Sequence, residues 1–516
     1  MNSTRDGAGA RLARLHTLFW LTAGLSACGG GGPNTGESPF PVPAPSPAPA
    51  SATAQSCAPT NPYRADALQP TTSGSLANEK AWLRRYMDAA YLWTAQIPSV
   101  NAGAAPYSDT GDVPGSLDRY FEALKTPALT ASGKRLDQFS FTYPTKAWND
   151  LFQAGEEAGY GALWAIGSDT PPRSIRIVRV EAGSPAALAG LRRGDTLVSV
   201  DGVSADTLDP AGIDTLNSGL YPGAAGESHR FVVSRGAGTL DVSLRSAVIT
   251  QNPVPLTTVI QQGGHRVGYL VFNDHIGPAE TALIAAVRQL QAAGVDQLVL
   301  DLRYNGGGYL YIASELAYMI AGGARTQGQV FEALHYNSRR AAENSSTPFY
   351  DTACVPDAQF NCTDTQALPT LALSKLTVLT SGSTCSASEA IVNGLRGVDV
   401  EVTLIGDTTC GKPYGFTGQD NCGISYFPIE FQGVNAKGFG DYADGFSATC
   451  AVADDLEHAL GDPAEGQLAA ALTQLATGNC PAVAKGKQAR PDKRAVTHRL
   501  IRGPQHEARI VAPVRR

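Results

Sequence analysis

Gln297-Leu298-Val299-Leu300-Asp301-Leu302 runs directly into Arg303-Tyr304-Asn305-Gly306-Gly307-Gly308 and then into Tyr309–Ala321. A short apolar run, a glycine-rich turn and a longer apolar stretch read as strand, turn and helix. The alternation continues on both sides. Upstream, Val267–Phe272 is an expected strand and Pro278–Gln291 an expected helix. Downstream, Leu376–Thr380, Ala387–Leu395 and Val402–Ile405 read as strand, helix and strand. Such alternation predicts an α/β layer domain over residues 250–480. Within it, residues 325–370 read as irregular and carry Cys354 and Cys362.

Residues 157–247 have a different grammar. Ile175-Arg176-Ile177-Val178-Arg179-Val180 is an expected strand. Gly183-Ser184-Pro185-Ala186-Ala187-Leu188-Ala189-Gly190-Leu191 is a short helix with Pro in its first turn. Arg193-Gly194-Asp195-Thr196-Leu197-Val198-Ser199-Val200-Asp201-Gly202 is a strand ending in an Asp-Gly turn. This segment resembles a PDZ domain of the bacterial protease type, which implies a β-barrel-like module. PDZ domains take a peptide C-terminus as an added strand and hold its carboxylate with backbone N–H groups. Gly159-Tyr160-Gly161-Ala162-Leu163 is the candidate carboxylate loop, so Tyr160, Gly161, Ala162 and Leu163 are the candidate substrate-binding residues; a plain glycine turn is the alternative. Ahead of it, residues 58–155 read as a small N-terminal helical domain. Asn78 is the expected cap of a helix whose apolar face is Trp82, Leu83, Tyr86, Ala90 and Trp93, and Leu117–Leu124 is a second helix.

The chain has 516 residues, enough for about three domains. Its 43% hydrophobic content excludes a wholly disordered chain. The net charge of -7 argues against a generic nucleic-acid binder. Residues 481–516 carry +8, which leaves -15 on the rest; this basic tail lacks apolar periodicity and is expected to be disordered. At the other end, Arg11 and Arg14 precede the apolar run Leu18–Leu25, too short to span a bilayer. The run ends in Leu25-Ser26-Ala27-Cys28, which resembles a bacterial lipobox. That resemblance implies a signal peptide over 1–28 and lipidation at Cys28; an ordinary cleaved signal peptide is the alternative. Gly29–Gly32 and the prolines from Pro39 to Pro49 make residues 29–57 a semi-rigid linker. Gly29 stands where lipoproteins retained in the inner membrane carry Asp, so the expectation is an exported, outer-membrane-anchored protein. Nine cysteines less Cys28 leave eight, an even number that reads as disulfides in an exported chain. Cys354–Cys362 is the expected local pair. No CxxC pair or HExxH motif suggests zinc, and the expectation is no metal and no cofactor.

Three segments carry the chemistry: Gly382-Ser383-Thr384-Cys385-Ser386-Ala387-Ser388-Glu389, Gly406-Asp407-Thr408-Thr409-Cys410-Gly411-Lys412, and the turn Asp301–Gly308. Together they resemble the C-terminal processing peptidases, or tail-specific proteases. The resemblance implies a protease core with ClpP/crotonase-like layers, Ser386 as nucleophile and Lys412 as general base. It implies an oxyanion hole from Ala387 and either Gly306 or Gly307, and polypeptide substrates with free C-termini. The residues support this reading independently. A serine hydroxyl needs a base, the eight histidines are scattered, and no Gly-x-Ser-x-Gly elbow occurs. A lysine serves once desolvation makes it neutral near physiological pH, and Pro413, Tyr414 and Phe416 give Lys412 an apolar setting.

Other readings compete. Ser386-x-x-Glu389 is also an ordinary capping box. Gly406-x-x-x-x-Gly411-Lys412 nearly matches a phosphate-binding loop, but Pro413 replaces its hydroxyl residue. Phe416 stands where the family often has a lysine-orienting Gln, with Gln419 as a substitute. That departure keeps open a non-catalytic PDZ-containing binding protein on the same fold. Cys385 and Cys410 either brace the site as a disulfide, or Cys385 fills core.

Overall fold

The computed structural model describes residues 54–356, 362–481 and 499–501. The signal peptide, Cys28, most of the linker and most of the basic tail lie outside the described residues.

In the N-terminal region, α1 (Leu76–Ala90) and α2 (Val113–Leu124) pack together. The first cap is Ser75, not Asn78: Ser75 Oγ accepts the Asn78 N–H at 3.3 Å, so the helix begins three residues earlier than expected. Asp112 caps α2 through the Gly115 N–H. Trp82, Leu83, Tyr86 and Ala90 are buried as the spacing predicts, whereas Trp93 lies past the helix end. Their apolar cluster also takes in Ile424, Tyr426 and Ile429 from far down the chain. The strand Phe141–Pro144 pairs with Ile424–Phe427, and Cys57 is bonded to Cys422. The helical region is therefore fastened onto the α/β region.

The segment read as PDZ forms β1 (Ala162–Ile166), β2 (Ile175–Val180), α3 (Pro185–Leu188), β3 (Thr196–Val200), α4 (Pro210–Leu220), β4 (Ser228–Arg235) and β5 (Gly238–Arg245). The sheet runs β5-β4-β3-β2-β1. Ile213, Leu216 and Leu220 of α4 close over Trp164, Ile177 and Phe231. Asp201 and Gly202 both have positive φ, as the Asp-Gly turn demands.

The α/β region adds β6 (Leu256–Gln262), β7 (His265–Val271), α5 (Ala279–Ala292), β8 (Gln297–Asp301), α6 (Leu310–Ala321), β9 (Val330–Tyr336), β10 (Lys375–Thr380), α7 (Ala387–Gly397), β11 (Glu401–Gly406), β12 (Phe431–Val434), β13 (Cys450–Ala451) and α8 (Gly466–Thr477). One sheet has the order β6-β7-β8-β10-β11-β13, parallel from β7 onward. Alternation sorts its two faces. Leu298, Leu300, Val378 and Leu404 pack under α5, α6 and α7, while Val299, Leu379 and Ile405 pack under α8. Helices cover both faces, as a parallel sheet requires.

Two expectations are corrected. Residues 325–370 are not irregular: β9 joins a four-stranded sheet with Ser345–Pro348, β12 and Tyr414–Gly415, and Thr352–Pro356 pairs with Cys362–Ala367. Cys354 is disulfide-bonded, and the side chain of Cys362 lies outside the described residues. The tail is not wholly without structure either, because Arg499–Ile501 forms a strand, β14, on β1.

Candidate active site

Ser386 caps α7 with φ +56°. Few non-glycine residues adopt a positive φ, and the strain costs about 1–3 kcal/mol unless the surroundings enforce it. Three contacts do so here. The Glu389 carboxylate accepts the Ser386 N–H at 3.1 Å, the Ala390 N–H donates to the Ser386 carbonyl at 2.8 Å, and Cys385 is bonded to Cys410. The disulfide therefore braces the site, and the core-filler alternative for Cys385 falls. The capping-box geometry is present, since Glu389 reaches back to Ser386; its carboxylate also does more than cap.

Glu389 is buried and accepts from Thr409 Oγ1 at 2.6 Å, Gly411 N at 2.9 Å and Lys412 N at 2.8 Å. Burial pushes this carboxyl upward, and those hydrogen bonds oppose the rise. One carboxylate thus joins the start of α7 to the loop bearing Lys412. Lys412 itself is buried, and desolvation lowers its ammonium to about 8, against the pull of Asp137 and Glu389. Its Nζ sits 4.4 Å from the Phe416 ring centre and 5.5 Å from that of Phe139. Phe416 therefore occupies the place beside the lysine. Gln419 lies on a strand opposite Tyr426 and does not line the cavity around Lys412. The side chains of Ser386 and Lys412 line the same cavity without a hydrogen bond between them.

The glycine turn faces Ser386. A Cβ on Gly307 would lie 2.8 Å from Ser386 Cβ and 2.9 Å from Ala387 N, so only glycine permits this approach. Sequence reasoning left Gly306 and Gly307 as alternatives for the oxyanion amide. The Gly307 N–H is engaged by Asn305 Oδ1 at 2.9 Å. Among the described residues, the N–H groups of Gly306 and Ala387 have no such partner. Behind the turn stands His275, which no motif marked out. It contacts Asn305 Oδ1 at 3.0 Å, and complete burial drops its imidazole to about 3, so it is neutral. It shapes the turn and does not contact Ser386.

Cys385, Glu389 and Cys410 converge, but the disulfide consumes both sulfurs and leaves a metal only one carboxylate. A continuous cavity of about 1020 Å³ joins Ser386 and Lys412 to Tyr160, Gly161, Ala162 and Leu163 of the candidate carboxylate loop.

Residues 266–419 match the model of peptidase family S41, and residues 176–213 match that of a PDZ domain. The chain carries an S41 peptidase domain joined to a PDZ domain. The S41 match includes Ser386, Glu389 and Lys412. A carboxyl-terminal-processing protease of Picosynechococcus is 27% identical over 266 residues, covering 50% of this chain and 55% of that protein. The carboxy-terminal processing protease CtpB of Bacillus subtilis is 27% identical over 243 residues, covering 46% and 44%. The chain thus spans about half the length of the curated relatives it matches. The crystal structure of a putative S41 protease from Bacteroides fragilis has a TM-score of 0.56 at 24% identity, covering 77% of this chain and 97% of that one, and so shares the fold.

Proposed function

We propose that this S41 protein is a serine endopeptidase acting on extended polypeptides delivered by its PDZ domain. Ser386 attacks a peptide carbonyl, Lys412 takes its proton and returns it to the leaving amine, and the N–H groups of Gly306 and Ala387 hold the oxyanion. The observation that carries the reading is the Glu389 carboxylate. It binds Ser386, Gly411 and Lys412 at once, in a cavity where Lys412 is desolvated. A lysine at about 8 has a useful neutral fraction near neutral pH. Absence of a direct Ser386–Lys412 hydrogen bond fits a free enzyme, because such bonds tighten when substrate binds. The layers around the parallel sheet support the ClpP/crotonase-like arrangement, with the helical region as its N-terminal partner. Residues 157–247 serve as the barrel-like peptide-binding module, with Tyr160–Leu163 facing the substrate terminus. Cys28 and the Gly/Pro linker tether this body to the outer membrane.

One observation favours the binding-protein alternative: the Phe416 ring lies against the Lys412 ammonium and stabilises its charged form. Incubating the protein with a denatured substrate decides between them. The peptidase reading expects fragments that disappear with Ser386→Ala, while that variant keeps the wild-type melting temperature. Intact substrate with the wild-type protein leaves only the binding role.

A further inference from the structure

The terminal strand of the PDZ sheet is not bare. Strand β14 lies antiparallel on β1, with Arg499 opposite Ile166, Leu500 opposite Ala165 and Ile501 opposite Trp164. Leu500 is 5% exposed and packs with Ala165, Val178, Tyr304 and Leu456, where the PDZ domain meets the S41 domain. Strand β1 leaves the Gly159–Leu163 loop directly, and the antiparallel sense carries the added strand towards that loop. The outer edge of the strand that follows such a loop is where a PDZ domain takes its peptide.

We propose that the chain's own C-terminal segment occupies the peptide-accepting edge of the PDZ domain, so that a substrate strand must displace it. This rests on the reading of β1 as the peptide edge. The paired segment lies within the chain, and it is held by its backbone ladder and by Leu500. An occupant on the same chain competes at a high effective concentration. The tail is basic and the remainder acidic, so added salt should loosen the contact.

The test uses the full chain carrying Ser386→Ala, so that no probe is cut. A fluorescent decapeptide with a free apolar C-terminus is titrated by anisotropy. Leu500→Asp, and separately a stop codon after Pro481, are expected to tighten binding at least fivefold. Both should raise amide exchange at Trp164–Ile166. A synthetic peptide of residues 496–504 should displace the probe from the truncated chain. Unchanged or weaker probe binding in both variants overturns the proposal. Because the readout is binding, it stands apart from whether Ser386 is catalytic.

A second, independent observation lies in the cavity that Ser386 lines. Glu332 on β9 is 6% exposed and lines the same cavity as Ser386, Ala390, Gly433 and Tyr442. Among the described residues its carboxyl group has no hydrogen bond or ion pair, while its backbone pairs with Thr347. Burial pushes its carboxyl up to about 8. A Cβ on Gly433 would sit 2.1 Å from Glu332 Oε1, so glycine at 433 makes the room that the carboxyl fills. Ala390 lies one helical turn beyond Ser386 and presents a small wall. The cavity that holds Ser386 is thus walled in part by a small residue, an aromatic ring and a lone carboxyl. An unpaired buried carboxyl is costly, and a bound cation relieves it by returning it to the charged form.

We infer that Glu332 selects a lysine or arginine side chain on the residue that supplies the attacked carbonyl. The inference deepens the peptidase reading and rests on it. Paired peptides carrying lysine or norleucine at that position differ in the ammonium group. The wild-type chain is expected to favour lysine at least tenfold in kcat/KM, with cleavage after that residue by mass spectrometry. Glu332→Gln should remove the preference while norleucine cleavage persists. Equal rates on the two peptides, or a preference that survives Glu332→Gln, overturns the inference while leaving the peptidase reading intact. No cleavage of either peptide overturns both.

Discussion

Glu389 Oε2 accepts the backbone N–H of Lys412 at 2.8 Å, and the same oxygen accepts the N–H of Ser386 at 3.1 Å. One buried carboxylate therefore sets the separation of the proposed nucleophile and base. In Glu389→Gln an NH2 group would face backbone donors, leaving at least one unpaired. An unsatisfied buried donor costs about 1–3 kcal/mol. The expected outcome is a fall of about 100-fold in kcat with KM little changed, since loss of alignment acts on the chemical step. Steady-state kinetics checks this, and a kcat within twofold of wild type would reduce Glu389 to a helix cap.

Lys412 gives a pH dependence with a definite sign. Its folded value, about 8, lies below the 10.5 of a free lysine. As a base it works when neutral, so kcat/KM should rise with pH and level off above an apparent pKa of about 8. Stability follows the same direction. The unfolded chain binds the proton more tightly, so folding gains stability as pH rises from 8 towards 10.5 and is penalised below 8. Lys412→Met should therefore abolish cleavage yet match or exceed the wild-type melting temperature at pH 7. A variant that melts well below wild type would mean the ammonium is held favourably, as the Phe416 contact alone would have it.

The Cys385–Cys410 disulfide spans 25 residues and brackets both site segments. Closing a loop of this size contributes about 3.5 kcal/mol in the chain-entropy account. Its local effect should be larger, because Cys385 precedes a residue held at φ +56°. The double variant Cys385→Ala/Cys410→Ala should lose at least tenfold in kcat at a temperature where circular dichroism still reports the native fold. Activity that tracks global unfolding instead would make the bond a staple and nothing more.

The legible parts of this chain were those whose determinants are local. The glycine turn, the Ser-Ala-Ser-Glu segment and the Gly-Lys each declare themselves within eight residues, and the strands and helices around them fall within about two residues of expectation. What the sequence hid is non-local. Strand β9 reads as irregular because Phe331, Leu334 and Tyr336 are interrupted by the buried Glu332, and its partner β12 lies some hundred residues away. Cys57–Cys422 joins positions 365 apart, which no spacing argument reaches. Gly306 and Gly307 look alike in sequence, and what separates them is the Asn305 side chain, which the fold turns onto the Gly307 N–H.

The proposed anchor is tested by fractionation. A lipobox ending at Cys28, followed by a Gly/Pro linker, predicts that Cys28→Ser moves the protein from the membrane pellet to the soluble exported fraction. A single acyl chain binds membranes only marginally, so wild-type attachment that resists high salt implies more than one. Membrane association unchanged in the Ser variant would remove the lipid anchor.

Arg193 decides how the PDZ domain is seated. Its guanidinium uses all five N–H groups: on Val178 O and Tyr304 Oη, on Asp454 Oδ1 and Asp455 O, and on His458 O. Val178 belongs to the PDZ domain and the other four to the S41 region, so the fork bridges the two. Lysine cannot reproduce this pattern, because its three donors radiate from one point. Asp454 keeps Arg303 as a partner at 3.0 Å, so the core network should survive the loss. Arg193→Lys is therefore expected to free the PDZ domain without unfolding the S41 domain. Calorimetry should resolve a separate, earlier PDZ transition, and the radius of gyration from solution scattering should increase. Cleavage of short peptides should change little, while cleavage of long denatured chains should fall about tenfold, because the cavity linking Tyr160–Leu163 to Ser386 would no longer be continuous. A single melting transition and equal losses on both substrate lengths would show that Arg193 supports the fold as a whole and not the seating of one domain on another.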